Sequence, residues 1–393
     1  MGDLSMKQSH IRAYAPRLLI TMPWGIGDTI VVGLSAVDQI TQNDPAGTVE
    51  IDVLCNHSQA ELLEHDPRIH RLIQIDASLF TTAEAGSWKR GIFLSPAARK
   101  LAQYLRDQHY SAILPFMFAL TFFYRLHTPV MFLNLRQMWH VISAMRAFGE
   151  VSIQKVIRQS INNYFGGKLP EPSVDEPIPL YICPEHVQKA MELVASIKGQ
   201  MNAPKDQSKL LLVAPDTSSV ITRPPTSLLA GGIAGALERN QDLLVALLPS
   251  FTDTQASINL LHTLSLSFPG RVVLMPSEPK LSLLELAAFI DQSDLFVTGD
   301  TGVMHLAAAT KKLENAAREE LTPRNAVKII ALFGGTHPGL HGYSKRTLIL
   351  GKGRKEQVAL TPGVAKDLYN PHGKNFFDHI SPQQLTDAIM SQL

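Results

Sequence analysis

Cysteine is almost absent from this chain: Cys55 and Cys183 are the two in 393 residues. They stand far apart, with no Cys-x-x-Cys pair and no evident Cys/His ligand spacing. The sequence therefore predicts neither a disulfide framework nor a zinc site, and a reducing, cytoplasmic setting is expected. A charge excess is also missing. Lys and Arg total 36 against 35 Asp and Glu, a net charge of +1, so no global field recruits nucleic acid or an anionic membrane. Apolar runs such as 112–119 and 327–333 fall well short of the roughly 20 residues that a spanning helix needs. Any membrane contact is expected to be peripheral, at the inner face. Residues 1–17 lack the apolar core of a signal peptide. Two phosphate-loop signatures are absent as well: there is no Gly-Lys-Ser/Thr, and Gly25-Ile26-Gly27 has no third glycine at the dinucleotide offset. ATP hydrolysis and hydride transfer are disfavoured accordingly.

What the chain does have is a globular balance, 45% apolar and 18% charged residues, and a length suited to two domains. Strand and helix patterns alternate. An apolar strand over 17–22 leads through a glycine turn into a helix over 28–40, where Ile30, Val31, Leu34, Val37 and Ile40 recur at helical spacing. Strands over 49–55, 69–75 and 111–115 follow, with helices over 59–64, 97–108 and 135–148. A proline-rich stretch from 166 to 209, broken by a helix over 185–198, reads as a domain crossing. The rhythm then restarts with strands over 209–214, 243–248, 272–275, 295–298 and 328–333. Helices over 226–239, 253–268, 281–292, 302–310 and 382–393 complete it. Both halves read as doubly wound parallel α/β units. We divide them at 1–180 and 181–393 and expect the last helix to pack back on the first domain.

In open α/β sheets, ligands collect beyond the carboxyl ends of strands. Four loops there carry chemistry. After the first strand comes Gly25-Ile26-Gly27-Asp28, whose carboxylate is either a helix cap or a proton acceptor. Gly299-Asp300-Thr301-Gly302 opens a helix that carries His305; amides at such an end attract anions, and the bland alternative is an N-cap beside a surface histidine. Gly334-Gly335-Thr336 follows another strand, and the hydroxyls of Thr217 and Ser218 with Arg223 follow the strand over 209–214, a set suited to a diphosphate. Taken singly, each loop could be ordinary turn chemistry.

Thr298-Gly299-Asp300-Thr301-Gly302-Val303-Met304-His305-Leu306-Ala307-Ala308-Ala309, with Ala331-Leu332-Phe333-Gly334 downstream and Gly25-x-Gly27-Asp28 near the start, resembles glycosyltransferase family 9, the heptosyltransferases of lipopolysaccharide core assembly and their relatives. The resemblance implies a GT-B fold: two Rossmann-like domains facing a cleft, acceptor on the first and nucleotide sugar on the second. It implies inverting transfer without a metal or other cofactor, from a nucleotide-sugar donor such as ADP-heptose to a glycan or glycolipid acceptor. Asp28 is then the base, with Gly25 and Gly27 in the acceptor-side loop. Thr217, Ser218, Arg223, Asp300, Thr301, Gly302, His305 and Thr336 are the donor-binding candidates. Departures are visible. Thr222-Arg223-Pro224-Pro225 stands where the family has a lysine before Trp-Pro, Asp253 is the nearest acidic candidate for a ribose contact, and 310–327 reads as an inserted, solvated helical excursion. Two other readings stay open: a catalytically silent sugar- or nucleotide-binding protein, and a GT-B epimerase whose acidic and histidine set does not assemble here.

Overall fold

The computed structural model describes residues 16–22, 25–75, 96–115, 153–167, 179–201, 208–217, 221–249, 254–277, 280–313, 328–336, 338, 347–350 and 376–393. The helix expected over 135–148 lies outside them.

The first sheet is fully parallel, in the order β3-β2-β1-β4, built from β1 (Arg17–Thr21), β2 (Glu50–Cys55), β3 (Arg71–Gln74) and β4 (Ala112–Pro115). After β1 the chain forms a short α1 (Ile26–Asp28), a π-helical stretch over Thr29–Leu34 and α2 (Ser35–Asn43). The expected glycine turn is thus shorter than its sequence suggests: Gly25 caps the helix and Gly27 lies inside it. The helix α3 (His57–Leu63) starts with a reciprocal Asn56/Gln59 capping box, which satisfies two otherwise orphaned amides. The domain is completed by α4 (Pro96–Asp107) and α5 (Ile153–Tyr164), the latter packed on α2.

A buried carboxylate organises the edge of this sheet. Asp52 on β2 is fully buried, accepts from Tyr110 Oη at 2.8 Å, pairs with His70 Nδ1 at 2.9 Å and takes a further hydrogen bond from Arg71. Burial alone would raise its pKa, but the hydrogen bonds from His70, Arg71 and Tyr110 override that and hold it below the ordinary carboxylate value. Because the folded pKa lies below the unfolded one, this stabilisation is complete above the unfolded value and is lost as pH falls through the folded one. The expected outcome is that Asp52→Asn is less stable than the parent at neutral pH, and that the gap narrows below about pH 4. Urea unfolding at the two pH values measures it; a gap constant with pH would contradict the reading.

In the second half, β5 (Pro179–Ile182) and α6 (Pro184–Gln200) precede a six-stranded parallel sheet. Its strands are β6 (Lys209–Ala214), β7 (Leu243–Leu247), β8 (Val272–Leu274), β9 (Leu295–Gly299), β11 (Lys328–Leu332) and β12 (Thr347–Leu350). The order β12-β11-β9-β6-β7-β8 is the Rossmann arrangement, with its switch point between β6 and β9. Leu210 to Val213 and all of β7 are buried, as unbroken apolar runs require in a strand covered on both faces. The crossovers in this half include α7 (Thr226–Arg239), α8 (Thr254–Ser267), α9 (Leu283–Asp291) and α10 (Gly302–Ala308).

Two expectations need correction. The segment after α10 begins as a strand, β10 (Thr310–Leu313), parallel to β5, where a helical excursion was expected. Its four residues find a partner about 130 positions upstream, which no local pattern can announce. Among the described residues, the final helix α11 (Pro382–Gln392) packs chiefly on α7, where packing on the first domain was expected. The reason lies in α7. A Cβ on Gly232 would stand 2.6 Å from Leu385, and Gly231 and Gly235 face Pro382 and Thr386 as closely, so the glycines leave a groove that α11 fills. Thr386 Oγ1 donates to the Gly232 carbonyl at 2.9 Å, which fixes the register. Among the described residues, no helix is long and apolar enough to cross a membrane.

Candidate active site

The carboxyl ends of the two sheets face one cleft, a cavity of about 440 Å³. Gly25, Gly27 and Asp28 enter it from the first domain; Asp216, Thr217, Asp300, Thr301, Gly302 and His305 enter it from the second. Both second-domain loops leave strands that flank the switch point, so the topology itself gathers them.

Asp28 is exposed at the third position of α1, and as the N-cap of the π-helical stretch it makes no side-chain cap hydrogen bond. It curls back over Gly25, where an added Cβ would come 2.9 Å from Asp28 Oδ2. The helix widens into its π-helical stretch immediately after Asp28, a distortion that often accompanies functional sites.

The two domains touch through glycine. A Cβ on Gly27 would stand 2.7 Å from His305 Cδ2 and 3.3 Å from Gly302 Cα, while one on Gly302 would stand 3.2 Å from the Gly27 amide nitrogen. The bare backbone of α1 thus lies against the first turn of α10. Gly302, expected to admit a phosphate, meets the other domain's backbone here. Gly27→Ala is expected to displace His305 and lower kcat/KM by roughly 10²-fold, the scale of an ångström-level misplacement at a reacting centre. Steady-state kinetics beside urea unfolding test this, and unchanged kinetics would show that the contact is not kept in the working protein.

On the second domain, His305 is buried and its Nε2 lies 3.8 Å from Asp300 Oδ1, with both side chains less than a tenth exposed. Thr301 occupies the N-cap of α10 without spending its hydroxyl on a cap hydrogen bond. Thr217 is buried, its hydroxyl 2.9 Å from that of Thr222. Arg223 does not line the cleft. Its guanidinium pairs with Asp216 and donates to the Thr217 carbonyl at 3.0 Å, which ties Arg223 to the residues just past β6. Asp216, which sequence reasoning passed over in favour of its hydroxyl neighbours, lines the cleft. Its position just past the end of β6 was the available signal. Thr336 is also outside the cleft lining; its hydroxyl oxygen is buried without a partner among the described residues, and the adjoining Gly335 amide bonds the Ile221 carbonyl at 2.8 Å. Ser218 and Asp253 lie outside the described residues. A smaller cavity of about 250 Å³ adjoins the cleft through Leu248 and Pro249 and is lined further by Met275, Lys280 and Leu281.

Two Rossmann-like domains with their strand ends turned toward a common cleft define a GT-B fold. The sequence model of glycosyltransferase family 9 (heptosyltransferase) matches residues 245–317, the stretch from β7 through the loop that follows β9, α10 and β10. The matched stretch, which holds the Asp300-Thr301 loop and His305, is thus similar to the heptosyltransferase-like family 9. Among solved structures, a family 9 glycosyl transferase from Veillonella parvula DSM 2008 is similar with a TM-score of 0.67 at 14% identity, covering 97% of this chain and 98% of that one. The ADP-heptose LPS heptosyltransferase II of E. coli aligns with a TM-score of 0.61 at 15% identity, covering 96% and 98%. The E. coli heptosyltransferase WaaC with ADP aligns with a TM-score of 0.56 at 16% identity, covering 96% and 100%. No curated protein sequence matches this chain.

Proposed function

We propose that this protein is an inverting, metal-independent glycosyltransferase that moves a sugar from a nucleotide-diphosphate donor to a hydroxyl of a cell-envelope glycan or glycolipid. The observation that carries the reading is the convergence in one cleft of an exposed carboxylate, Asp28, with the Asp300-Thr301 loop and His305 of the opposite domain. The first domain, 1–180, takes the acceptor and the second, 181–393, the donor. An acceptor hydroxyl is a poor nucleophile, and a carboxylate within hydrogen-bond reach accepts its proton as it attacks the anomeric carbon. Attack opposite the leaving group inverts the configuration. The departing diphosphate gains charge, which the Thr301 hydroxyl, the first-turn amides of α10 and His305 are placed to stabilise. The adjoining cavity between Leu248 and Met275 suits the nucleobase. ADP-heptose is the donor that the solved relatives' names suggest, a lipopolysaccharide precursor is the matching acceptor, and the inner face of the cytoplasmic membrane is where the two meet.

A panel of nucleotide sugars tested by thermal stabilisation names the donor, because a ligand that binds only the folded state raises the melting temperature. One donor is expected to stand out at micromolar concentration. No stabilisation by any nucleotide or nucleotide sugar would sink the assignment.

A further inference from the structure

Away from the cleft, His65, Cys183 and His186 offer donor atoms that all lie within 4.8 Å of one another. His65 stands in the loop after α3; Cys183 is the N-cap of α6, and His186 lies in its first turn. Cys183 Sγ is 3.3 Å from His186 Nδ1, and the His65 and His186 rings are 5.5 Å apart between centroids at 57°. Tetrahedral zinc, with Zn–S near 2.3 Å and Zn–N near 2.0–2.1 Å, has an S···N edge of about 3.5 Å. The Cys183 and His186 pair already spans that edge, and the His65 donor atom, within 4.8 Å of both, completes the face on a small approach. We propose that His65, Cys183 and His186 form a transition-metal site of the zinc class, which staples the loop after α3 to the start of α6.

The chemistry of the donors supports this. One thiolate with two imidazoles is a borderline-soft set that suits zinc, and three protein ligands leave a fourth position for water. Glu64 Oε1 lies 3.3 Å from His65 Nε2, the kind of carboxylate that orients a ligating histidine through its second nitrogen. On binding, the Cys183 thiol yields its proton to solvent and the thiolate takes the ion. The spacing Cys183-Pro184-Glu185-His186 is a ligand pair that the reading of the sequence passed over, and His65 joins it only through the fold. The site sits where α3, α6 and α9 meet. Glu61 of α3 accepts from the Leu283 amide at 2.5 Å and Lys189 of α6 pairs with Glu285 at 2.7 Å, while Leu283 itself lines the cleft. A bound ion would therefore brace the wall of the cleft from behind.

The test uses the full chain, stripped with a chelator and titrated with Co²⁺ as the probe. One equivalent is expected to give tetrahedral ligand-field bands and a thiolate-to-cobalt charge-transfer band, both displaced by Zn²⁺. The charge-transfer band should survive Cys55→Ala, whose buried thiol has its pKa pushed up to about 12, and vanish in Cys183→Ser. His65→Gln, a change at a partly exposed side chain, should lower Co²⁺ affinity by at least roughly tenfold while the apo protein still unfolds cooperatively. A charge-transfer band that is absent, or that persists in Cys183→Ser, overturns the proposal, as does unchanged affinity in His65→Gln.

Discussion

Asp28→Asn is expected to lower turnover by roughly 10²–10⁴-fold, the usual worth of a positioned general base. The substitution keeps size and shape and removes proton acceptance. Donor affinity should hardly change, because Asp28 enters the cleft from the first domain and the donor is assigned to loops of the second. Stability should hardly change either, because Asp28 is exposed and Asn keeps its size and shape. Were the residue only a helix-start carboxylate, Asn would serve almost as well, since the two rank alike in capping, and turnover would survive. The separation of kcat from donor Kd is therefore the informative readout. A variant with full turnover would remove the base assignment and leave the fold in place.

Asp38→Ala is expected to cost about 3–5 kcal/mol of folding stability, the range for removing one partner from a buried ion pair. Asp38 on α2 accepts from Arg68 Nη1 at 3.1 Å and pairs with Arg158 of α5. Arg68 in turn pairs with Asp66 at 2.6 Å, and its guanidinium stands 5.2 Å from the Tyr181 ring centroid on β5. All four charged side chains are close to fully buried, so the attraction is little screened and the stranded guanidinium is expensive. The network ties α2, the loop after α3, α5 and β5 into one block. Asp38→Asn, which keeps an acceptor, should lose less. Urea denaturation reads both, and a loss below about 1 kcal/mol for the alanine variant would place the network among ordinary surface pairs.

Much of this architecture is legible locally. The strand read over 209–214 is β6, and the helix read over 226–239 is α7, because an unbroken apolar run between polar ends, and a proline pair before an apolar helical stretch, carry their own punctuation. The parallel sheets and the placing of the cleft at strand ends follow from the alternation of strands and helices. The features that escaped are those set by distant partners. β5 and β10 are four residues each and define one another across the chain. The glycines of α7 look like weak helix formers until Leu385 and Thr386 arrive to fill the groove. Arg223 reads as a phosphate cation, and the fold also sets Asp216 beside it, a pairing the sequence does not announce. Gly27 and Gly302 read as ligand-facing turns; both line the cleft, but the sequence does not show that a Cβ at Gly27 would meet His305, or one at Gly302 the Gly27 amide.

The measurement that bears most directly on the central claim is the anomeric configuration of the transferred sugar, read by NMR alongside release of the nucleoside diphosphate. A single displacement with Asp28 as base predicts acceptor-dependent release of one nucleoside diphosphate per sugar transferred and a glycoside inverted relative to the donor. Retention of configuration, or a donor that binds tightly with no release in the presence of any glycan acceptor, would contradict it.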